Sequence, residues 1–126
     1  IKNLKISHHV NFVKPTTNVK DLYMDADLVV NSSIRPEGFG RTICEALSMK
    51  IPVIAPNSGG TKEQLEKFDS KLLYEINNFE SFKRALYYAL NHRVNISNTS
   101  RNFVLNNYSK NAMCSSQLKV YQSSLK

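Results

Sequence analysis

The sequence predicts an α/β fold in which helices cover both faces of a parallel sheet, and two observations predict it. The runs Asp27-Leu28-Val29-Val30-Asn31 and Pro52-Val53-Ile54-Ala55-Pro56 are apolar at consecutive rather than alternate positions, as strands buried on both faces read. Segments with helical spacing lie between and after them, so strands and helices alternate along the chain. Sheets of this kind bind ligands at the carboxyl ends of their strands, which directs attention to the loop over residues 32–40.

Taken in order, His9-Val10-Asn11-Phe12-Val13 alternates and is expected as a first strand. Pro15-Thr16-Thr17-Asn18 then supplies turn chemistry and a helix cap. A short helix through Asp21-Leu22-Tyr23-Met24 precedes the strand over 27–31, expected to be the most buried. After the loop a helix runs to about Met49, with Ile43, Ala46 and Leu47 on one apolar face. Pro52 opens the next strand, where its missing N–H is tolerated. Asn57-Ser58-Gly59-Gly60 leads into a helix expected to be capped by Thr61, with Gln64 completing a capping box. Lys71-Leu72-Leu73-Tyr74 reads as a short strand. Phe79, Phe82, Ala85, Leu86 and Ala89 keep helical spacing, and two further helices are expected over residues 99–107 and 110–124.

A chain of 126 residues supports one hydrophobic core, hence a single domain or part of one. No apolar run approaches the roughly 20 residues of a membrane-spanning helix. No signal peptide is recognisable, and two cysteines, Cys44 and Cys114, are too few for a disulfide framework, so a reducing cytoplasm is the expected setting. The net charge of +7 calls for an anionic partner, but the basic residues are scattered and carry no aromatic-basic motif, which argues against nucleic acid. His8 and His9 have no carboxylate or cysteine cluster beside them, so no metal site is expected.

The segment Pro36-Glu37-Gly38-Phe39-Gly40-Arg41-Thr42-Ile43-Cys44-Glu45 is a glycine-bearing loop feeding a helix, and three features point to a phosphate. A glycine cap at Gly40 would leave the N–H groups of the first turn open to an external anion. Gly38 and Gly40 let backbone approach a ligand closely. Arg41 puts a cation at the positive end of a helix dipole, a locally unfavourable choice that a bound anion would reverse. The alternative is that Thr42 caps the helix and Glu45 reaches back to it in a capping box, with Glu37 a solvated loop carboxylate. Both readings stay open on the residues alone.

The stretch PEGFGRTICEALSMKIPVIAPNSGG resembles the signature of family-four glycosyltransferases of the GT-B fold, in which two glutamates separated by seven residues precede a Pro-Val-Ile strand and a Gly-Gly loop. Glu37 and Glu45 have that spacing. The resemblance extends to Val10-Asn11-Phe12-Val13, Tyr23 and Ala26-Asp27 on one side, and to Glu63, Phe103, Tyr108-Ser109 and Val120-Tyr121 on the other. It implies a Rossmann-like sheet that is part of the nucleotide-sugar-binding C-terminal domain. It further implies that Glu37 is the catalytic residue and binds donor-sugar hydroxyls, with Gly38, Phe39 and Gly40 lining the sugar pocket. Gly40, Arg41 and Thr42 would hold the diphosphate, Glu45 the ribose hydroxyls, and residues 13–16 the nucleobase. The implied activity is retaining transfer from a nucleoside-diphosphate sugar to a saccharide or lipid acceptor, as in cell-envelope polysaccharide synthesis, without a metal or prosthetic group. Cytoplasmic placement follows, with peripheral association at the inner face of the membrane as an option.

Two departures stand out: Lys50 occupies the place of the glycine that ends the site helix, and Lys14 that of a glycine after the first strand. The family's first strand-helix-strand unit, with its basic pair, and the acceptor-binding N-terminal domain do not precede Ile1. The chain over 1–126 is therefore expected to be inactive alone and to expose a sheet edge open to self-association. Two rival readings are an epimerase, whose Ser-Gly-Gly loop would precede the Pro-Val strand and here follows it, and a non-catalytic nucleotide-sugar-binding or scaffold module from a truncated gene.

Overall fold

In the computed structural model, which describes residues 3–125, a helix α1 (Val19–Met24) leads into strand β1 (Val29–Val30). Helix α2 (Arg41–Ser48) carries the chain to β2 (Val53–Pro56), and α3 (Gly59–Phe68), with a 3-10 turn over Ser70–Leu72, carries it to β3 (Leu73–Tyr74). Helices α4 (Phe79–Asn91), α5 (Arg93–Tyr108) and α6 (Lys110–Ser124) follow. The strands are parallel, in the order β1-β2-β3, with Val29 opposite Val53, Val30 opposite Ile54, Ala55 opposite Leu73 and Pro56 opposite Tyr74. Parallel strands joined by helical crossovers are the predicted Rossmann-like α/β arrangement.

All four residues of β2 are buried, and α2, α3 and α4 pack against it. Ile43 and Leu47 from α2 meet Val53 and Ile54 from β2, Leu65 from α3 and Leu72, all fully enclosed. Each such side chain contributes about 1.5–3 kcal/mol relative to exposure, so the middle strand and the site helix share one core.

Several expectations are corrected. The most buried strand is β2, not the run over 27–31. Only Val29 and Val30 of that run form β1, which pairs on one side, and Val30 is 42% exposed. The strand expected over His9 to Val13 is absent: residues 7–9 form a 3-10 turn, and Phe12 is 81% exposed. Alternation alone supplies no neighbouring ladder to satisfy its backbone groups. Thr61 does not cap α3, which starts at Gly59 behind Ser58. Its buried hydroxyl instead donates to the carbonyls of Pro56 (2.8 Å) and Ser58 (2.7 Å). Asn18 stands at the N-cap of α1 but makes no side-chain cap bond. Lys71 and Leu72 belong to the 3-10 turn, where the Asp69 carboxylate accepts from the Lys71 N–H at 3.1 Å. Phe79, placed with the apolar face of α4, is 73% exposed, because it opens the helix just after the Asn78 cap while Ala85 and Ala89 face the core. Helix α5 begins at Arg93 rather than residue 99, and α6 has the predicted bounds but buries no residue.

The end of α2 shows why Lys50 stands out. Its φ of 65° is left-handed. The Lys50 N–H donates to Leu47 O (3.1 Å) and the Ile51 N–H to Ala46 O (3.0 Å), the paired bonds of a Schellman ending. Two side chains of α5 take further carbonyls there: Ser97 Oγ donates to Lys50 O at 2.8 Å, and Arg101 donates to Ser48 O at 3.0 Å.

Candidate functional site

The site is built at the carboxyl end of β1, where the chain turns through loop 32–40 into α2. Gly40 is the N-cap of α2, with φ 69° and no side-chain cap bond. A side chain is doubly unwelcome at Gly40, since the conformation is left-handed and a Cβ would lie 3.0 Å from Thr61 Cγ2. The Ile43 N–H turns back to Gly40 O at 3.0 Å, while those of Arg41 and Thr42 have no partner among the described residues. The capping-box alternative is thereby overturned. Thr42 lies inside the helix, and Glu45 does not reach back to it. The two oxygens of Glu45 accept instead from the Tyr23 hydroxyl (3.0 Å) and from Arg41 (3.3 Å). Burial, then the Glu45 hydrogen bond, pushes the Tyr23 hydroxyl up to about 12, so it remains a donor. Arg41, with its side chain 85% exposed, is free to swing away at little cost.

Glu37 is half-buried and anchored rather than loosely solvated. Its Oε1 accepts from Ser33 Oγ and from Asn31 Nδ2 (3.1 Å), and these bonds, Ser33 first, hold its carboxyl below the usual range. Asn31 is 4% exposed and is itself fixed by strands. Its N–H donates to Ile54 O at 2.9 Å, its carbonyl accepts from the Tyr74 hydroxyl at 2.7 Å, and its Oδ1 accepts from the Ser33 N–H at 3.0 Å.

The loop is seated on the start of α3. The Gly60 N–H donates to Glu37 O at 2.8 Å. A Cβ on Gly60 would stand 2.6 Å from Gly38 O, and one on left-handed Gly59 would stand 2.7 Å from Glu37 O, so both positions need glycine for contact with backbone. Gln64 donates to Phe39 O and accepts from the Cys44 thiol at 3.4 Å, work the expected capping box did not foresee. The Phe39 ring meets Tyr108 edge-on at 5.7 Å. Gly38 differs: a Cβ there would meet nothing within 4 Å, so protein packing does not require the glycine.

The structure thus gathers Glu37, Gly38, Phe39, Gly40, Arg41, Thr42 and Glu45 on one loop and one helix start. Sequence reasoning missed Asn31, Ser33, Tyr23 and Gln64 as their supports. Asn31 and Ser33 carried a usable signal, polar residues closing an apolar strand just before the motif. Residues 13–16, expected near a nucleobase, are exposed irregular chain. Cys44 is half-buried, its thiol pushed up to about 11 by burial and then by Glu45, as befits a packed, unreactive residue. Glu63 lies at the fifth position of α3 and is exposed. The His8 and His9 rings lie 4.0 Å apart, tilted by 45°, and among the described residues no three metal-ligating side chains cluster. No described helix is long and apolar enough to cross a membrane.

Comparison with known proteins agrees with the fold. The sequence model of the family described as "Glycosyl transferases group 1" matches residues 1–110. A Haemophilus influenzae protein named as an uncharacterized glycosyltransferase is 31% identical over 91 residues, covering 71% of this chain and 26% of its own length. The crystal structure of a glycosyltransferase from Rickettsia africae ESF-5 superposes with a TM-score of 0.81 at 32% identity, covering 99% of this chain and 34% of its own. The chain therefore spans about a quarter to a third of the length of these relatives.

Proposed function

The chain belongs to the group 1 glycosyltransferases, and from that premise we propose that it forms the donor side of a retaining transfer from a nucleoside-diphosphate sugar to a saccharide or lipid acceptor. The observation that carries this reading is the open N-terminus of α2, where Gly40 leaves the Arg41 and Thr42 N–H groups without a protein partner. Two aligned N–H groups at the positive end of a helix suit a diphosphate. Glu45, four residues on, sits one turn down the same helix, with lone pairs to spare for ribose hydroxyls once Arg41 turns to the phosphate. Glu37 would bind the sugar, with the backbone of Gly38, Phe39 and Gly40 along it. Gly38, which packing leaves free to carry a side chain, is where the ligand would come closest.

In this reading the leaving diphosphate is stabilised by helix N–H groups and basic side chains, which is electrostatic catalysis. Turnover should then survive chelation by EDTA, and its loss with rescue by magnesium or manganese would remove the mechanism. The acceptor and the rest of the phosphate site would be bound by parts of a longer protein, cytoplasmic or peripheral at a membrane face, so this chain alone should bind a diphosphate weakly and turn over no donor. Amide NMR of this chain tests the central claim. Millimolar uridine or guanosine diphosphate should move the Gly40, Arg41 and Thr42 signals and leave those of Gly59 and Gly60 in place. Equal movement at both helix starts, or none at α2, would sink it.

A further inference from the structure

We propose that Asn31 and Ser33 are positioning residues that hold one oxygen of Glu37 so that only the other, Oε2, is offered to a hydroxyl of the donor sugar, an inference that rests on Glu37 being the sugar ligand. Both donors converge on the same atom: Asn31 Nδ2 lies 3.1 Å from Oε1, and Ser33 Oγ is hydrogen-bonded to it. Oε2 has no partner among the described residues. A carboxylate has about four acceptor sites, so two remain open to a ligand, both on Oε2.

The hold is rigid because it comes from the sheet. The Asn31 N–H extends the pairing of β1 with β2 one residue beyond Val30, and the Tyr74 hydroxyl, reaching across from β3, fixes the Asn31 carbonyl. With backbone and amide oxygen both engaged, the buried amide can point only one way. The Ser33 N–H to Asn31 Oδ1 bond closes an Asx turn, and that turn brings Ser33 Oγ to Glu37. Three strands thus set the direction of one loop carboxylate, the support a precise polar contact needs.

The chemical consequence is a role and a preference. Two donors keep Glu37 ionised, so it accepts hydrogen bonds and has no proton to give a leaving group. The site should accordingly select donors whose sugar bears a hydroxyl within reach of Oε2, and a deoxy donor lacking that group should be rejected.

The test uses Ser33→Ala, in a loop outside the hydrophobic core, with Ser33→Thr as the conservative control and Asn31→Ser as a second removal. Carbon NMR of the Glu37 carboxyl in this chain should show the titration midpoint rising in Ser33→Ala and staying low in Ser33→Thr. In the full-length enzyme, kcat/KM for the donor should fall about tenfold in Ser33→Ala and Asn31→Ser, as expected for one lost charge-assisted bond, and recover in Ser33→Thr. If Glu37→Gln impairs turnover while neither Ser33→Ala nor Asn31→Ser does, positioning is refuted and the sugar-ligand reading stands. If Glu37→Gln leaves turnover intact, that reading falls and the positioning proposal falls with it.

Discussion

Two helices of this molecule begin with glycine at the carboxyl end of a strand, and they begin differently. Helix α3 opens on Gly59 and Gly60, and its start is seated against the loop: the Gly60 N–H is bonded to Glu37 O, and the loop backbone lies so close that neither residue could carry a Cβ. Helix α2 opens behind Gly40, and the Arg41 and Thr42 N–H groups find no partner among the described residues. The same residue type therefore does opposite work. At α3 glycine lets protein pack on protein, and at α2 it leaves donors for something else. A glycine-rich helix start becomes a candidate anion site only when N–H groups are unspent and no protein backbone fills the space against them.

Substitutions should separate the two starts. The largest effect is expected from Gly60→Ala, whose Cβ would strike the Gly38 and Phe39 backbone. Stability should drop by about 3 kcal/mol, read by denaturant unfolding, and a loss under about 0.5 kcal/mol would mean the loop is not seated as described. Next comes Glu45→Ala in the full-length enzyme, expected to weaken donor binding by about 2 kcal/mol in a calorimetric titration. Its stability should change by no more than about 1 kcal/mol, the ordinary worth of the Tyr23 bond, so the reverse pattern would make Glu45 structural. Lys50→Gly relieves a left-handed φ at the far end of α2 and should stabilise by about 1 kcal/mol with donor affinity unchanged, checked by thermal melting beside the same titration. Gly38→Ala should leave stability within about 0.5 kcal/mol while lowering donor affinity, and unchanged affinity would show that no ligand approaches there. The smallest effect concerns acid. Because the Glu37 carboxyl is held below its ordinary range, it adds stability that is complete above the unfolded value and lost as pH falls through the folded one. Ser33→Ala should flatten that part of a stability-against-pH curve.

What sequence could reveal follows from how local each cause is. Ile43, Ala46 and Leu47 announced the buried face of α2 because helical periodicity is written into consecutive residues, and Val53 to Ala55 announced β2 in the same way. Gly40 as cap was one of two open readings, and only the folded structure decided it, since Thr42 and Glu45 also satisfied a capping-box spacing. The Thr61 and Gln64 pattern satisfied that spacing too and misled, because Gln64 answers to Phe39, 25 residues away. Tyr74 bonding Asn31 across 43 residues is invisible to any local rule. The strand expected at His9 to Val13 failed for the converse reason: its pattern was sound, but a strand is defined by its neighbour.

The far end of α2 carries a consequence for the order in which the molecule assembles. Ser97 and Arg101 bind carbonyls of Lys50 and Ser48, contacts spanning 47 and 53 residues. A chain made from its N-terminus at about 5–20 residues per second exposes α2 several seconds before these partners exist. During that interval the helix can coil, but its last turn is held by its left-handed ending alone, and α5, which packs along it, is still to come. Contacts of such sequence separation carry a large loop-closure cost and form late. The N-terminal end of α2 therefore reaches its final rigidity only when α5 packs against the helix, 47 to 53 residues of synthesis later.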